Sequence, residues 1–409
     1  MGVLAIWLVG GLLSLFGALG YAELATAYPQ EGGDYVYLSR AYGKWAGFLF
    51  GWIQLAIVRP GDIAIMAFAF ATYFRAIGDP LANLGVPHSH RIYAAIATAI
   101  LTVINILGVK AGKWTQNILT AIKALGLLAI VAVAVTAPQR APVTESFGPL
   151  PVSLAMIFVL FTYGGWNEMA YVAAEVKNYR RNIVRALVLG STAVTVLYLL
   201  VNGAFLYTLG YAGLATSKAV ATDCVSTAFP KIGGALISAL VCISALGAVN
   251  GLIFTGARIS YALGAEHRAF GILGKWSERR GTPVWALLAQ GAIAVGLIMF
   301  FGSFVDTILY TAAPVYLFYL ATTLSVIVLR FREPVTERPY RVTGYPVTTL
   351  IFCAVCAFLI YKAISYAFWN KQVSLILLLA ILSVGVLLYW LTDIRGAAQR
   401  GTSNSQNRV

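Results

Sequence analysis

Three stretches place polar or flexible residues where a long apolar run would otherwise continue, and each implies a chemistry. In MIFVLFTYGGWNEMAYVAAEVKN, Gly164 and Gly165 stand together near the middle of an apolar segment, flanked by Tyr163, Trp166 and Asn167. Paired glycines weaken a helix by about 1 kcal/mol each relative to Ala. A main chain opened there would offer free amides and half-helix ends, which suit the carboxylate and ammonium of a small zwitterion. Close helix packing is the other use of such a pair; Trp166 and Asn167 weigh toward a site because they bring hydrogen-bonding groups to mid-span. The second stretch holds Lys123, ten residues beyond Lys113 and too deep to reach the interface easily. Its chemistry would be that of a fixed cation or a proton carrier, and its bland alternative a lysine reaching carbonyls or water. The third is Arg59-Pro60-Gly61-Asp62. Proline removes an amide donor and kinks a helix. Arg59 and Asp62 share a helix face and are expected to pair, as part of a structural or gating kink rather than a substrate contact.

The elements that must position these residues are membrane spans. Of 409 residues, 60% are apolar and 11% charged, with a mean hydropathy of +0.81. Soluble chains are roughly 45–50% apolar and about 25% charged, so a soluble fold, a nucleic-acid-binding domain and a disordered chain are excluded. The net charge of +14 comes from basic residues in short links between apolar runs, a membrane pattern with no nucleic-acid partner implied. No Walker loop, nucleophile elbow or HExxH is present, so an ATP-driven pump or intramembrane hydrolase has no support and no enzyme is expected. Four cysteines are no disulfide framework. Cys353 and Cys356 are expected as small core thiols in a lipid-facing span. His88 and His90 in one loop do not make a metal site, and no metal or other cofactor is expected. Glu23 and Glu31 are expected to be structural or gating charges, and Pro314 a kink.

A bilayer core about 30 Å thick needs roughly 20 apolar helical residues. Nine runs without Asp, Glu, Lys or Arg qualify: Met1–Ala22, Ile92–Val109, Ser146–Asn167, Ala186–Ser217, Ile232–Ala257, Gly281–Val305, Thr307–Leu329, Val342–Tyr361 and Gln372–Thr392. Trp45–Phe74 and Trp114–Ala137 carry isolated charges and bring the expectation to eleven, all helical because backbone amides in lipid must be satisfied within each segment. Taken alternately, the links sort 19 Lys and Arg against 6, which places the richer set, the C-terminus included, in the cytoplasm. That leaves Met1 outside, at the start of an apolar helix, and the economical expectation is a further helix upstream of it.

The residues also resemble a known family. GALGYAELATAYPQEGGDYVYLSRAYG, WIQLAIVRPGDIAIMAFAFATY, KWTQNILTAIKALGL, FTYGGWNEMAYVAAEVKN, GAVNGLIFTGARISYALG and LRFREPVTERPYRVTGYP follow in order over almost the whole chain. Together they resemble the amino acid–polyamine–organocation superfamily, in its L-type amino acid transporter branch. The resemblance implies an all-α, LeuT-like fold of two inverted five-helix repeats, with the eleven spans as family helices two to twelve. Residues 1–137 would be the remainder of the first repeat, 152–330 the second, 345–392 two extra helices and 393–409 a cytoplasmic tail, in a single transporter domain. It implies sodium-independent exchange or proton-coupled uptake of amino acids across the plasma membrane, the alternatives being a non-transporting sensor or an inactive permease lacking its first helix. Phe161 then takes the gating aromatic position, Gly164 the backbone contact to the substrate ammonium, Tyr163, Gly165, Trp166 and Asn167 pocket positions, and Lys123 the place of a sodium site. KNYRRNIVRA departs from the family's KNPxRNIPRA at Tyr179 and Val184. Animal members bond a heavy chain through an external cysteine; the matching loop, Arg75–Arg91, has none, so no disulfide-linked heavy chain is implied.

Overall fold

Long apolar runs become helices because hydrocarbon offers no other partner for the backbone. The computed structural model describes residues 2–30, 32–108, 113–136, 152–230 and 232–406; Met1, Glu31, Lys110, Arg140, Lys231 and the tail from 407 lie outside them. Among the described residues there is no strand, only an isolated bridge between Ser277 and Thr282. The first half contains α1 (Gly2–Ala27), α2 (Asp34–Tyr42), α3 (Lys44–Ile53), α4 (Arg59–Ile77), α5 (Pro80–Asn83), α6 (Ser89–Ile106) and α7 (Lys113–Thr136). The second contains α8 (Val152–Thr162), α9 (Tyr179–Thr216), α10 (Val220–Ala228), α11 (Gly233–Glu266), α12 (Val284–Phe301) and α13 (Phe304–Arg332). They are followed by α14 (Val347–Asn370) and α15 (Gln372–Gln406).

Nine described helical stretches have the length and hydropathy to cross a membrane. Two of the eleven expected spans fall short of that measure. Thr120–Thr136 is apolar but shorter. The expected span Ser146–Asn167 is divided into α8 and a 3₁₀ segment, Trp166–Glu175.

α3 and α4 form one rod, Lys44–Ile77, with a π segment at Gln54–Val58 between them. The Arg59 amide donates to the Gln54 carbonyl, a five-residue step. Pro60 has no N–H for the carbonyl four residues back and its ring would crowd it. The wider π turn relieves both, so the expected kink takes the form of a local unwinding. α13, by contrast, runs on through Pro314.

In lipid, helices associate by close packing more than by water exclusion. α4 lies along α11, α1 along α9 and α13 along α14. Phe48, Phe50, Ile53, Ile57, Ile63 and Ile65 are wholly buried in a core shared with Ile253, Ile298, Ile308 and Phe352. Cys353 and Cys356 are buried too. They lie with Thr349, Phe352, Leu359 and Ala363 on the one face of α14 that packs inward, so they are core thiols, as expected.

The links sort into two groups. In one, Arg40 meets Glu333, Arg180 meets Glu337 at 2.9 Å, and Arg332 donates to the Ala41 carbonyl. In the other, His90 contacts the Gly302 carbonyl at 2.8 Å, Arg91 donates to the Met299 carbonyl, and Lys371 pairs with Asp306. This is the same division that alternate counting of basic residues makes.

Glu23 ties the first group to the helices. It accepts from Arg330 through both oxygens, at 2.8 and 2.5 Å, and from the Val342 amide at 2.7 Å, with Arg338 3.6 Å away. Removing one member of a buried ion cluster costs on the order of 3–5 kcal/mol, because the remaining charges lose compensation. Glu23→Ala is therefore expected to lower the thermal midpoint of the purified protein clearly. An unchanged midpoint would show that the cluster contributes nothing to stability.

Candidate functional site

The site begins with what the glycine pair does to its helix. α8 ends at Thr162, and its last turn tightens as the Gly164 amide donates to the Phe161 carbonyl at 3.0 Å. Gly165 has φ +99°, a left-handed conformation that costs other residues roughly 1–2 kcal/mol. The 3₁₀ segment then starts at Trp166, with Glu168 bonded back to the Gly165 carbonyl. Among the described residues, no backbone carbonyl accepts from the amides of Gly165, Trp166 or Asn167. The positive end of the segment thus lies uncovered at the break.

The break borders a cavity of about 1420 Å³. Tyr163, Gly164, Gly165 and Trp166 all line it, together with Ser14 of α1, Tyr198 of α9 and Arg258 of α11. The Ser14 hydroxyl is buried without a hydrogen-bond partner. Phe161 and Asn167 are not in that lining. Phe161 packs, half-buried, against the core, while its carbonyl holds the Gly164 amide. Asn167 accepts from the Tyr319 hydroxyl at 3.3 Å. Lys123 is half-buried on α7, three residues past Thr120, which does line the cavity. The structure therefore brings four of the seven expected residues together at one surface.

Aromatic packing keeps the break open. The Trp166 ring lies 5.0 Å from Tyr21, 4.9 Å from Tyr319 and 5.9 Å from Phe352, bridging α1, α13 and α14. Gly17 makes room for it, since a Cβ there would stand 2.8 Å from the indole. Tyr163 is anchored by its hydroxyl to the Trp7 carbonyl at 2.9 Å.

Polar groups beyond the break complete the arrangement, and these the sequence reading missed. Glu168 lines the cavity and pairs with Arg59 at 2.7 Å. Arg59 thus pairs across 109 positions, not with Asp62 three residues on. Tyr171, one turn further, donates to Asp34 at 2.9 Å. Asp34 is a buried hub: Tyr21 also donates to it, and Thr322 does so at 2.7 Å. A carboxylate two residues past a Gly-Gly-Trp pattern was the available signal for Glu168; nothing local marks its partner. Among the described residues, no cluster of His, Cys, Asp and Glu could hold a metal ion.

A broken helix with uncovered amides, set within a polytopic helical bundle, is the structural setting of a small-molecule carrier. The family described as amino acid permease matches residues 1–389. The chain belongs to that family. It is 32% identical over 401 residues to the human b(0,+)-type amino acid transporter 1, covering 95% of this chain and 80% of the relative. It is 33% identical over 356 residues to the serine/threonine exchanger SteT of Bacillus subtilis (strain 168), covering 85% and 80%. To the human large neutral amino acids transporter small subunit 2 it is 31% identical over 407 residues, covering 95% and 73%. The permease is thus a multi-pass membrane transporter of amino acids and not an enzyme.

The hub predicts a pH dependence for this permease. Burial pushes the Asp34 carboxyl above its ordinary value of 3.8, outweighing the hydroxyls of Tyr21, Thr322 and Tyr171, which favour the charged form. The folded state therefore binds this proton more tightly than the unfolded chain, so acidification through that window does not destabilise the fold through Asp34. It does remove an acceptor that three donors share. Amino acid uptake is expected to fall as pH drops toward the window above 3.8. Asp34→Asn should lower uptake and flatten that part of the pH profile; a variant keeping the wild-type profile would exclude this carboxyl as the titrating group.

Proposed function

We propose that the permease is a secondary active, sodium-independent exchanger that carries amino acids across the plasma membrane by alternating access, with its substrate held at the break in the fifth span. One observation carries the reading: the amides of Gly165, Trp166 and Asn167 have no backbone partner beside a large cavity. A substrate carboxylate supplies the acceptor that these amides lack, since an unsatisfied polar group away from water costs about 1–3 kcal/mol. Tyr163, Gly164 and Trp166 shape the pocket around the substrate. Phe161 gates it and Asn167 braces it through Tyr319. Lys123 acts as a fixed cation where a sodium ion would otherwise be needed. Exchange is favoured over proton-coupled uptake because a serine/threonine exchanger is among the relatives.

The wider frame belongs to the same proposal. Residues 1–137 and 152–330 act as two repeats that rock against each other, residues 345–392 add two helices, and the tail 393–409 lies in the cytoplasm with the Arg-rich links. The permease works without a disulfide-linked heavy chain.

Counterflow in proteoliposomes tests this directly. Vesicles loaded with unlabelled amino acids should accumulate radiolabelled serine or leucine without a sodium gradient. Folded protein that moves none of the twenty standard amino acids would sink the reading. Gly165→Ala is expected to cut uptake about five- to thirtyfold, since a left-handed alanine strains the break by about 1–2 kcal/mol and 1.4 kcal/mol is a factor of ten. Wild-type uptake by that variant would show that the opened conformation is not required.

A further inference from the structure

Arg59 and Glu168 have no part in holding the substrate as proposed, yet they make the nearest ionic contact to the break. The Arg59 side chain is 4% exposed, and Glu168 remains 40% exposed on the cavity wall. Among the described residues Glu168 is the only carboxylate paired with Arg59, and the Arg59 Nε has no hydrogen-bond partner. A buried guanidinium with a single carboxylate is an expensive arrangement. Replacing such a pair by apolar groups of similar size is often neutral or stabilising, so stability does not account for it.

Its position does. Where the helix is broken, the ladder of α8 no longer dictates how the 3₁₀ segment is turned about its own axis, and something outside the segment must. Trp166 holds it by aromatic faces, which allow sliding, and Tyr171 holds it by one hydroxyl on Asp34. Glu168 lies between these two on the first turn, gripped from α4. The π segment that ends at Val58 sets the direction in which Arg59 leaves α4. The guanidinium also stands 5.7 Å from the centre of the Tyr171 ring, so one side chain touches two successive turns of the segment.

We propose that Arg59 is a positioning residue: through Glu168 it fixes the rotation of the 3₁₀ segment and so aims the amides of Gly165, Trp166 and Asn167 into the cavity. This rests on the reading of the break as the substrate site. Arg59 touches no substrate itself. Its effect passes through Glu168 and appears as weaker binding rather than slower turnover.

The test compares wild type, Arg59→Met, Glu168→Met, Glu168→Gln and the Arg59→Met/Glu168→Met double variant by counterflow of radiolabelled serine and leucine, with thermal midpoints measured alongside. A single Met variant leaves a charge unpaired, whereas the double variant removes both charges and keeps the volume. The double variant is expected to fold with a midpoint near wild type and to raise KM about tenfold with kcat nearly unchanged, the pattern of lost substrate binding. Glu168→Gln, which keeps the shape and an acceptor for Arg59, should lie between. Both Met replacements should act on KM as one, the double being no worse than either single that folds. A double variant with wild-type KM, or a Glu168→Gln variant with wild-type KM should the double not fold, overturns the inference while leaving the substrate reading in place. A wild-type protein with no counterflow overturns both.

Discussion

Everything in this permease answers to one constraint: a peptide amide in hydrocarbon must find an acceptor, and an opened helix has too few. Around residues 163–167 the chain departs from that rule. The surrounding bundle packs around the aromatic residues that flank the break, while Gly164 and Gly165 themselves stay exposed. α1 approaches at Gly17, α13 and α14 supply Tyr319 and Phe352 around Trp166, and the carbonyls left by α8 are partly taken up at the last turn. Gly165 and Trp166, whose amides remain uncovered, line the cavity.

The charged residues follow a second logic. Most sit where helix ends meet, and there they are shared among several elements. Glu23 joins the end of α1 to the end of α13 and to Val342 in the link that follows. Asp34 gathers hydroxyls from α1, α13 and the 3₁₀ segment. Such hubs are costly if half-satisfied and specific if complete, which suits joints that must close in one arrangement. Asp34 also ties the 3₁₀ segment to α1 and α13 through Tyr171.

Much of this was legible in the residues. The apolar runs announce helices because no other spanning structure satisfies their amides, and the Gly164–Gly165 pair announces the break because nothing else in that run disfavours helix. The alternation of basic links separates the two faces. The partners were not legible. Sequence spacing offers Asp62 to Arg59, but the π turn intervenes just upstream and the true acceptor is 109 residues away. Thr322 meets Asp34 across 288 positions, and periodicity carries no trace of such contacts. Asn167 takes a pocket position by the family resemblance, and the Tyr319 hydroxyl that donates to its amide oxygen was not legible in the spacing. Cys353 and Cys356 sat in an evenly apolar run in which neither side of the helix is marked as inward, so only packing could decide where the thiols point.

The π turn in the α3–α4 rod carries one residue more than an α ladder needs. That surplus is a mechanical weak spot: a rod of 34 residues stiffened by regular bonds on either side will twist most readily at its loosest ring. Because the guanidinium leaves the rod immediately after that ring, torsion stored upstream would be delivered to the far wall of the cavity as a sideways pull.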